Sequence, residues 1–465
     1  VATILNGAAF KSKLFSPDDG VPLIRIRDIA RGETSTRYSG EYDDRYLIQP
    51  GELLVGMDGD FNVARWRGSA ALLNQRVCRI SPDTKTLDLD FLTSVLPGYL
   101  QAIHDVTSST TVKHLSSRDI ADIPIPLPTL SDQQRIVARL IEVEDDLGSI
   151  GAHLQTARTV LERLRSAVLA AACSGRLTED WRKDHPDATV DQLHAELIEV
   201  GQTAKVGRAP ASGEHGLTSG AQLELLPPSW SLVRLGDILD VSTGATPLRK
   251  NQAYYDDGTI PWVTSGAVNV GTITSPTELI TPLALEETNV KLFPPGTLLV
   301  AMYGEGQTRG RVAELAIEAG TNQAVAAVLF TKATAPLRPF IRLFFEDSYQ
   351  RVRALSAGGV QPNLNLGVIK DTLLPLPPPE EQAVIVRRAT VALEAADRLA
   401  TQIEQLEGTL DRISRAALTK AFRGELVPTE AALAAEEGRD FESAEELLAR
   451  VVSGKGDRSE SGRRR

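Results

Sequence analysis

The chain repeats itself, and that repeat limits its architecture more than any other feature. Pro126-Leu127-Pro128-Thr129-Leu130-Ser131-Asp132-Gln133 returns as Pro375-Leu376-Pro377-Pro378-Pro379-Glu380-Glu381-Gln382, 249 residues later. The same offset relates Leu161-Glu162-Arg163-Leu164 to Leu410-Asp411-Arg412-Ile413, and Gly175-Arg176-Leu177 to Gly424-Glu425-Leu426. A gap-free match over about fifty positions implies fixed helical geometry, because an inserted residue would rotate every later side chain. Periodicity agrees. Leu140, Val143, Leu147, Ile150, Leu154, Ala157, Leu161, Leu164 and Val168 advance by three and four, the apolar seam of a coiled coil. The second copy reads Ala389, Ala392, Ala396, Leu399, Ile403, Leu406, Leu410, Ile413 and Ala417, small at the start where the first copy is large. An antiparallel pair sets those alanines against Leu161, Leu164 and Val168, and a parallel pair sets them against Leu140, Val143 and Leu147. Both pack, so the heptads leave the direction open. Each helix is expected to begin after a proline run, near Ser131 or Glu380, and to stop at Gly175 or Gly424. Spanning Asp132 to Ser174 and Glu381 to Arg423, each rod would extend about 65 Å, roughly two turns of B-DNA. A generic dimerisation stalk is the alternative for an isolated seam, and the duplication counts against it.

Upstream of each helix lies a stretch of short strands and turns, again in duplicate. Pro50-Gly51-Glu52-Leu53-Leu54-Val55-Gly56-Met57 parallels Pro295-Gly296-Thr297-Leu298-Leu299-Val300-Ala301-Met302, and Asn74-Gln75-Arg76-Val77 parallels Asn322-Gln323-Ala324-Val325. Between these matches, residues 61–73 and 306–321 diverge, which reads as common scaffold with private loops and suits two modules that bind different ligands. The first loop holds Arg65, Trp66 and Arg67, and the second holds Gln307, Arg309 and Arg311. Arginine pairs bidentately with guanine and glutamine with adenine, and both also reach phosphates, so these are the candidate DNA-binding residues. The competing assignment packs Trp66 in the core and leaves the arginines solvated or ion-paired. Thr110 and Lys113 lie in a polar turn that corresponds to Gln361 and Asn363; these four either touch DNA phosphates or form plain turns.

The expected organisation is a mixed α/β chain with an internal pseudo-two-fold. Residues 1–128 form a first globular module, 129–177 a long helix, 178–228 a connector, 229–377 a second module, 378–426 a second long helix and 427–465 a partly disordered tail. Trp230 to Asp237 precede the point equivalent to Val1, so the first module is expected to lack its opening segment.

Hydrophobic residues make up 42% of the 465 and charged residues 24%, the balance of a chain that buries real cores. No apolar run approaches the roughly 18 residues of a membrane span, and Val1 to Phe10 lack the features of a signal peptide, so a cytoplasmic protein is expected. Cys78 and Cys173 are far apart and read as buried free thiols rather than a disulfide or zinc site. There is no GxxxxGK[ST] phosphate loop, since residues 304–310 lack its lysine. There is also no glycine-rich cofactor fingerprint, no methylation motif and no ligand spacing among the six histidines. Neighbouring acids such as Asp145-Asp146 and Asp256-Asp257 read as solvated. No catalytic residue, cofactor or metal is therefore expected in this chain. The net charge of -11 argues against holding DNA by bulk charge alone, so a partner is expected to supply positive field.

These motifs together resemble the specificity subunits of type I restriction-modification systems over nearly the whole chain. The resemblance rests on Ile125-Pro126-Leu127-Pro128 leading to Gln133, Leu374-Pro375-Leu376-Pro377 leading to Glu381-Gln382, and the helix ends Ser174-Gly175-Arg176-Leu177 and Ala421-Phe422-Arg423-Gly424. Gly56-Met57-Asp58-Gly59-Asp60-Phe61-Asn62, Leu73-Asn74-Gln75-Arg76, Gly244-Ala245-Thr246-Pro247 and Pro261-Trp262-Val263 also fit the family's recognition domains. The resemblance implies two target-recognition domains, each reading half of an asymmetric bipartite site in double-stranded DNA. It further implies an antiparallel coiled coil that sets the spacer and docks two methyltransferase subunits, with up to two restriction motor-nuclease subunits joining them. S-adenosylmethionine would belong to the methyltransferase, and ATP and Mg to the restriction partner. A subunit serving a fused methyltransferase-nuclease, or a coiled-coil scaffold that binds no DNA, are the competing functions.

Overall fold

A computed structural model describes residues 1–106, 114–190, 196–197, 217–218, 226–303, 308–357 and 364–461. The chain divides into two compact units, residues 1–154 with 405–465, and residues 155–404. Both divisions fall inside long helices, Leu130–Cys173 and Pro379–Arg423, so each unit holds the head of one helix and the tail of the other.

In the first unit, Leu53-Leu54-Val55 is apolar on both faces because it is buried on both. Leu53 and Val55 turn toward Phe91, Leu92 and Val95 of helix Leu89–Val106, and Leu54 turns the other way toward Ile24 and Trp66, as the two-residue period of a strand requires. This strand, Leu53–Gly56, pairs antiparallel with Val77–Pro82 and Val63–Arg65, and Ala2–Asn6 adds beyond Val77–Pro82. A second sheet is built on Val21–Ile24, which runs parallel to Ala71–Leu73.

The second unit repeats this plan. Leu298–Ala301 pairs antiparallel with Val325–Leu329 and Val312–Leu315, and Asp240–Thr243 adds beyond Val325–Leu329. Ile260–Val263 runs parallel to Ala319–Thr321. Here Ser231–Arg234, in the opening segment, pairs with Leu373–Leu376, which leads into the second long helix. The common framework corrects the expectation of private loops over 61–73 and 306–321. Val63–Arg65 and Ala71–Leu73 are framework strands, as are Val312–Leu315 and Ala319–Thr321. Gly56 N–H donates to Asn62 O and Ala301 N–H to Arg311 O, so the main difference in length over this stretch, four residues, lies in the turn between those partners, and a further difference of one residue lies between Trp66 and Ala71 against Leu315 and Ala319.

The long helices pair antiparallel in both units. In the first, Ile136, Val137 and Leu140 pack with Ala417 and Ala421. In the second, Leu169, Ala172 and Cys173 pack with Ile385 and Ala389. The ion pairs Arg158–Glu404 and Arg165–Asp397 advance two turns along one helix while retreating two along the other. The seam is narrower than the heptads suggest. Leu140 and Leu161 on one helix and Ala389, Ala396, Ile403 and Ala417 on the other are buried. The alternate heptad line is open, with Ile150 and Leu164 each 44% exposed, Leu399 48%, Leu406 51% and Ile413 45%. Two helices need only one facing line each, and the alanines bring the backbones close enough to leave the other line on the flank. Cys78 and Cys173 are buried free thiols, and burial pushes the Cys78 thiol up to about 12.

Candidate nucleic-acid interface

The repeated Asp132-Gln133 and Glu381-Gln382 pairs fix where each rod starts. Gln133 is fully buried; its Nε2 donates to Pro128 O at 2.9 Å and Thr86 O at 3.0 Å, while its Oε1 accepts from Asp88 N at 2.7 Å. Gln382 Nε2 donates to Pro377 O at 2.8 Å. Each glutamine thus folds back on the prolines before its helix, which carry acceptors but no N–H.

The acidic neighbours tie each helix head to the chain just past the tail of the other helix. Asp132 Oδ1 accepts from Glu430 N and from Arg135, both at 2.7 Å, and Arg135 also reaches the Glu430 carboxylate at 2.7 Å. Arg439 and Arg135 hold the Glu430 carboxyl below its ordinary range. Glu381, fully buried, accepts from Thr178 Oγ1 at 2.6 Å, Arg182 at 2.5 Å and Trp230 Nε1 at 2.9 Å. Nearby, both terminal nitrogens of Arg388 grip Asp180 and bring its carboxyl down to about 2. The sequence shows these acids and glutamines as a repeated motif, but their role is visible only once the partners are placed.

The candidate DNA-binding residues have separate fates. Trp66 is 2% exposed and its Nε1 donates to Ser69 O at 2.7 Å. It occupies the register of buried Leu315, since Trp66 N–H donates to Glu52 O as Leu315 N–H donates to Thr297 O. Trp66 is therefore a core residue, the competing assignment for it. Arg65 is half-buried and ion-paired with Asp90 at 2.5 Å. Arg67 is exposed and lies across Gly32, its guanidinium 3.4 Å from the carbonyls of Ala30 and Arg31. Arg309 is half-buried, and the Arg311 guanidinium stacks 5.1 Å over Tyr349. The two arginine pairs are not equivalent, because Arg311 holds the register of Asn62 rather than of Arg65 or Arg67. Thr110, Lys113, Gln307, Gln361 and Asn363 lie outside the described residues.

In the second unit Arg311 borders a cleft of about 1690 Å³, together with Val270, Arg338 and Arg342. Glu314 sits between Arg338, at 3.3 Å, and Arg342, at 3.7 Å. Such a surface can meet a polyanion through arginine forks while its acids limit nonspecific attraction. Among the described residues no His, Cys, Asp or Glu cluster could hold a metal, and no helix is long and apolar enough to cross a membrane.

Comparison with known proteins agrees with this architecture. The type I restriction modification DNA specificity domain matches residues 1–153 and 227–408. The EcoBI specificity subunit of Escherichia coli is 33% identical over 430 residues, 92% of this chain and 84% of that one. The EcoKI specificity subunit of Escherichia coli strain K12 is 22% identical and covers 92% of this chain, with 87% of its own length matched. A chain from a solved type I R-M system superposes with a TM-score of 0.63 at 17% identity, covering 91% of this chain and 98% of that chain, a likeness of fold. The duplicated matches and the long, closely related stretch place this chain in the family of type I restriction-modification DNA specificity subunits.

Proposed function

We propose that residues 1–128 and 229–377 each read one half of an asymmetric bipartite site in double-stranded DNA, and that the two long helices set the spacer and dock two methyltransferase subunits. The carrying observation is one framework used twice with different outward chemistry: Arg311 stands where the first copy has Asn62, within the same hydrogen-bonded register. Arg67, Arg309 and Arg311 are the described candidates for DNA contact, joined by Thr110, Lys113, Gln307, Gln361 and Asn363. Arg65 and Trp66 serve the framework that presents them.

The open heptad line favours docking on the rods. Ile150 and Leu399 are equivalent under the repeat, as are Leu164 and Ile413, and all four are exposed to nearly the same degree. A partner that fits one pair therefore fits the other, which gives two copies of one subunit. In this assembly the chain is a cytoplasmic, non-catalytic subunit. The methyltransferases bind S-adenosylmethionine and modify adenine, and up to two restriction subunits use ATP and Mg. These partners supply positive field that a chain of net charge -11 lacks.

Genome-wide adenine-methylation mapping in cells carrying the methyltransferase, with and without this chain, tests the reading. A two-part motif should appear only with the chain, and replacing residues 1–128 by those of a relative should change one half of it. A change in both halves rejects the division of labour.

A further inference from the structure

We propose that the turn over residues 25–31, which follows the parallel strand Val21–Ile24, is a base-reading element of the first domain and that Arg27 and Arg31 recognise guanine. This rests on the two-domain reading above and goes beyond it by assigning residues and a base.

The turn is anchored from behind and open in front. Ile29 is 1% exposed and Ile26 packs with it in the core around Ile24 and Leu54. Asp28 is buried, and its carboxylate accepts from Arg25 N at 2.9 Å, closing the short helical turn Ile26–Asp28. Its acid is thus directed inward, and its ion pair with Arg27 is long at 3.8 Å. Arg27 and Arg31 face solvent, as does Glu33 just beyond them. Arg67 joins this face by crossing Gly32. A Cβ at Gly32 would stand 2.7 Å from the Arg67 Nε, and the left-handed φ of 73° there also favours glycine. Two planar guanidinium groups are therefore carried on an anchored turn and a third, that of Arg67, is laid across its end, the preorganisation that specific recognition requires.

The second domain separates base reading from phosphate holding. Asn74 N–H donates to Ile24 O, and Asn322 N–H donates to Val263 O. Ile29 and Val268 are buried alike, and both turns end on a glycine with φ 73°, Gly32 and Gly271. The register, the buried anchor and the closing glycine are shared, though the helical turn spans Ile26–Asp28 in one copy and Ser265–Val270 in the other; Arg31 is replaced by Val270, 70% exposed, and Ala30 by Asn269, whose Nδ2 lies 3.3 Å from Thr308 Oγ1. Both replacements border the cleft of that unit. An element that only held phosphates would keep its charge in both copies. Here the anchor is kept and the outward chemistry changes from arginine forks, suited to guanine O6 and N7, to an amide and an apolar group, suited to adenine and the thymine methyl.

The test uses the full chain in complex with its methyltransferase, scored by methylome mapping and by methylation of duplexes permuted at each half-site position. Arg27→Lys with Arg31→Lys keeps the charge and removes the fork; discrimination for guanine at one or two positions of one half-site should fall about tenfold or more. Arg27→Ala with Arg31→Ala should do the same. The other half-site, read by the same molecule, should be unchanged and reports that the variant is folded. Asn269→Ala with Val270→Ala should show the mirror pattern. An unchanged motif in the arginine variants, a uniform loss over all sequences, or a first half-site without guanine overturns the proposal. A wild-type chain that directs no two-part motif overturns the two-domain reading instead, and this assignment with it.

Discussion

At the scale of single residues, Trp66 shows how an arginine-flanked aromatic misleads. Arg-Trp-Arg between two repeated matches has the composition of a DNA-contacting loop, and nothing local states that the segment is paired. Pairing puts Arg65 opposite Leu53, and the next residue must then face inward. Trp66→Ala should cost about 3–5 kcal/mol, seen as a lowered urea midpoint for the first unit, while Arg67→Ala should leave that midpoint nearly unchanged. Equal effects would deny Trp66 its place in the core. Charged residues show the same dependence on partners. Arg388 lowers the Asp180 carboxyl to about 2 from an ordinary value of about 3.9. A depressed carboxylate contributes stability that is complete above its ordinary value and disappears as pH falls toward the lowered one. Acid titration followed by amide exchange at the start of the second long helix should therefore show protection falling between about pH 4 and 2. Asp180→Asn should flatten that loss, and an unaltered profile in the variant would assign the acid sensitivity elsewhere.

At the scale of elements, both rods were legible in the sequence because gap-free repetition and heptad spacing are properties of the chain itself. Which heptad line faces the neighbour was not, since Leu161 and Leu164 are the same residue type and only the approach of Ala389, Ala396 and Ala417 selects between lines. The antiparallel direction is likewise set by long-range partners such as Arg158 and Glu404. The open line carries a prediction. Ile150 and Ile413 lie on the open line in the first unit, and Arg165–Asp397 sets Leu164 opposite Leu399 in the second. Ile150→Asp with Ile413→Asp should leave the chain folded, because the residues are half in solvent, yet cut bound methyltransferase from two copies to one by native mass spectrometry. Leu164→Asp with Leu399→Asp should do the same, and all four together should abolish binding. Full binding by the fourfold variant would move the docking surface off this line.

At the scale of the whole molecule, the proposed function has duplication turn one framework into two readers and the rods turn helix length into a distance along DNA. The locks make that length a property of both helices together. Asp132 is fastened to Glu430 and Glu381 to Thr178, so residues added to one helix alone would have to bulge or break a lock. Seven residues inserted after Ile150 and seven after Arg412 keep the heptad phase in both rods and add about 10 Å at 1.5 Å per residue. Since base pairs are spaced at about 3.4 Å, the methylated motif should keep both half-sites and gain about three base pairs of spacer. Insertion in one helix only should weaken assembly without giving that longer motif. If the doubly extended chain still methylates at the original spacing, helix length does not set the distance between half-sites, and the rods serve docking alone.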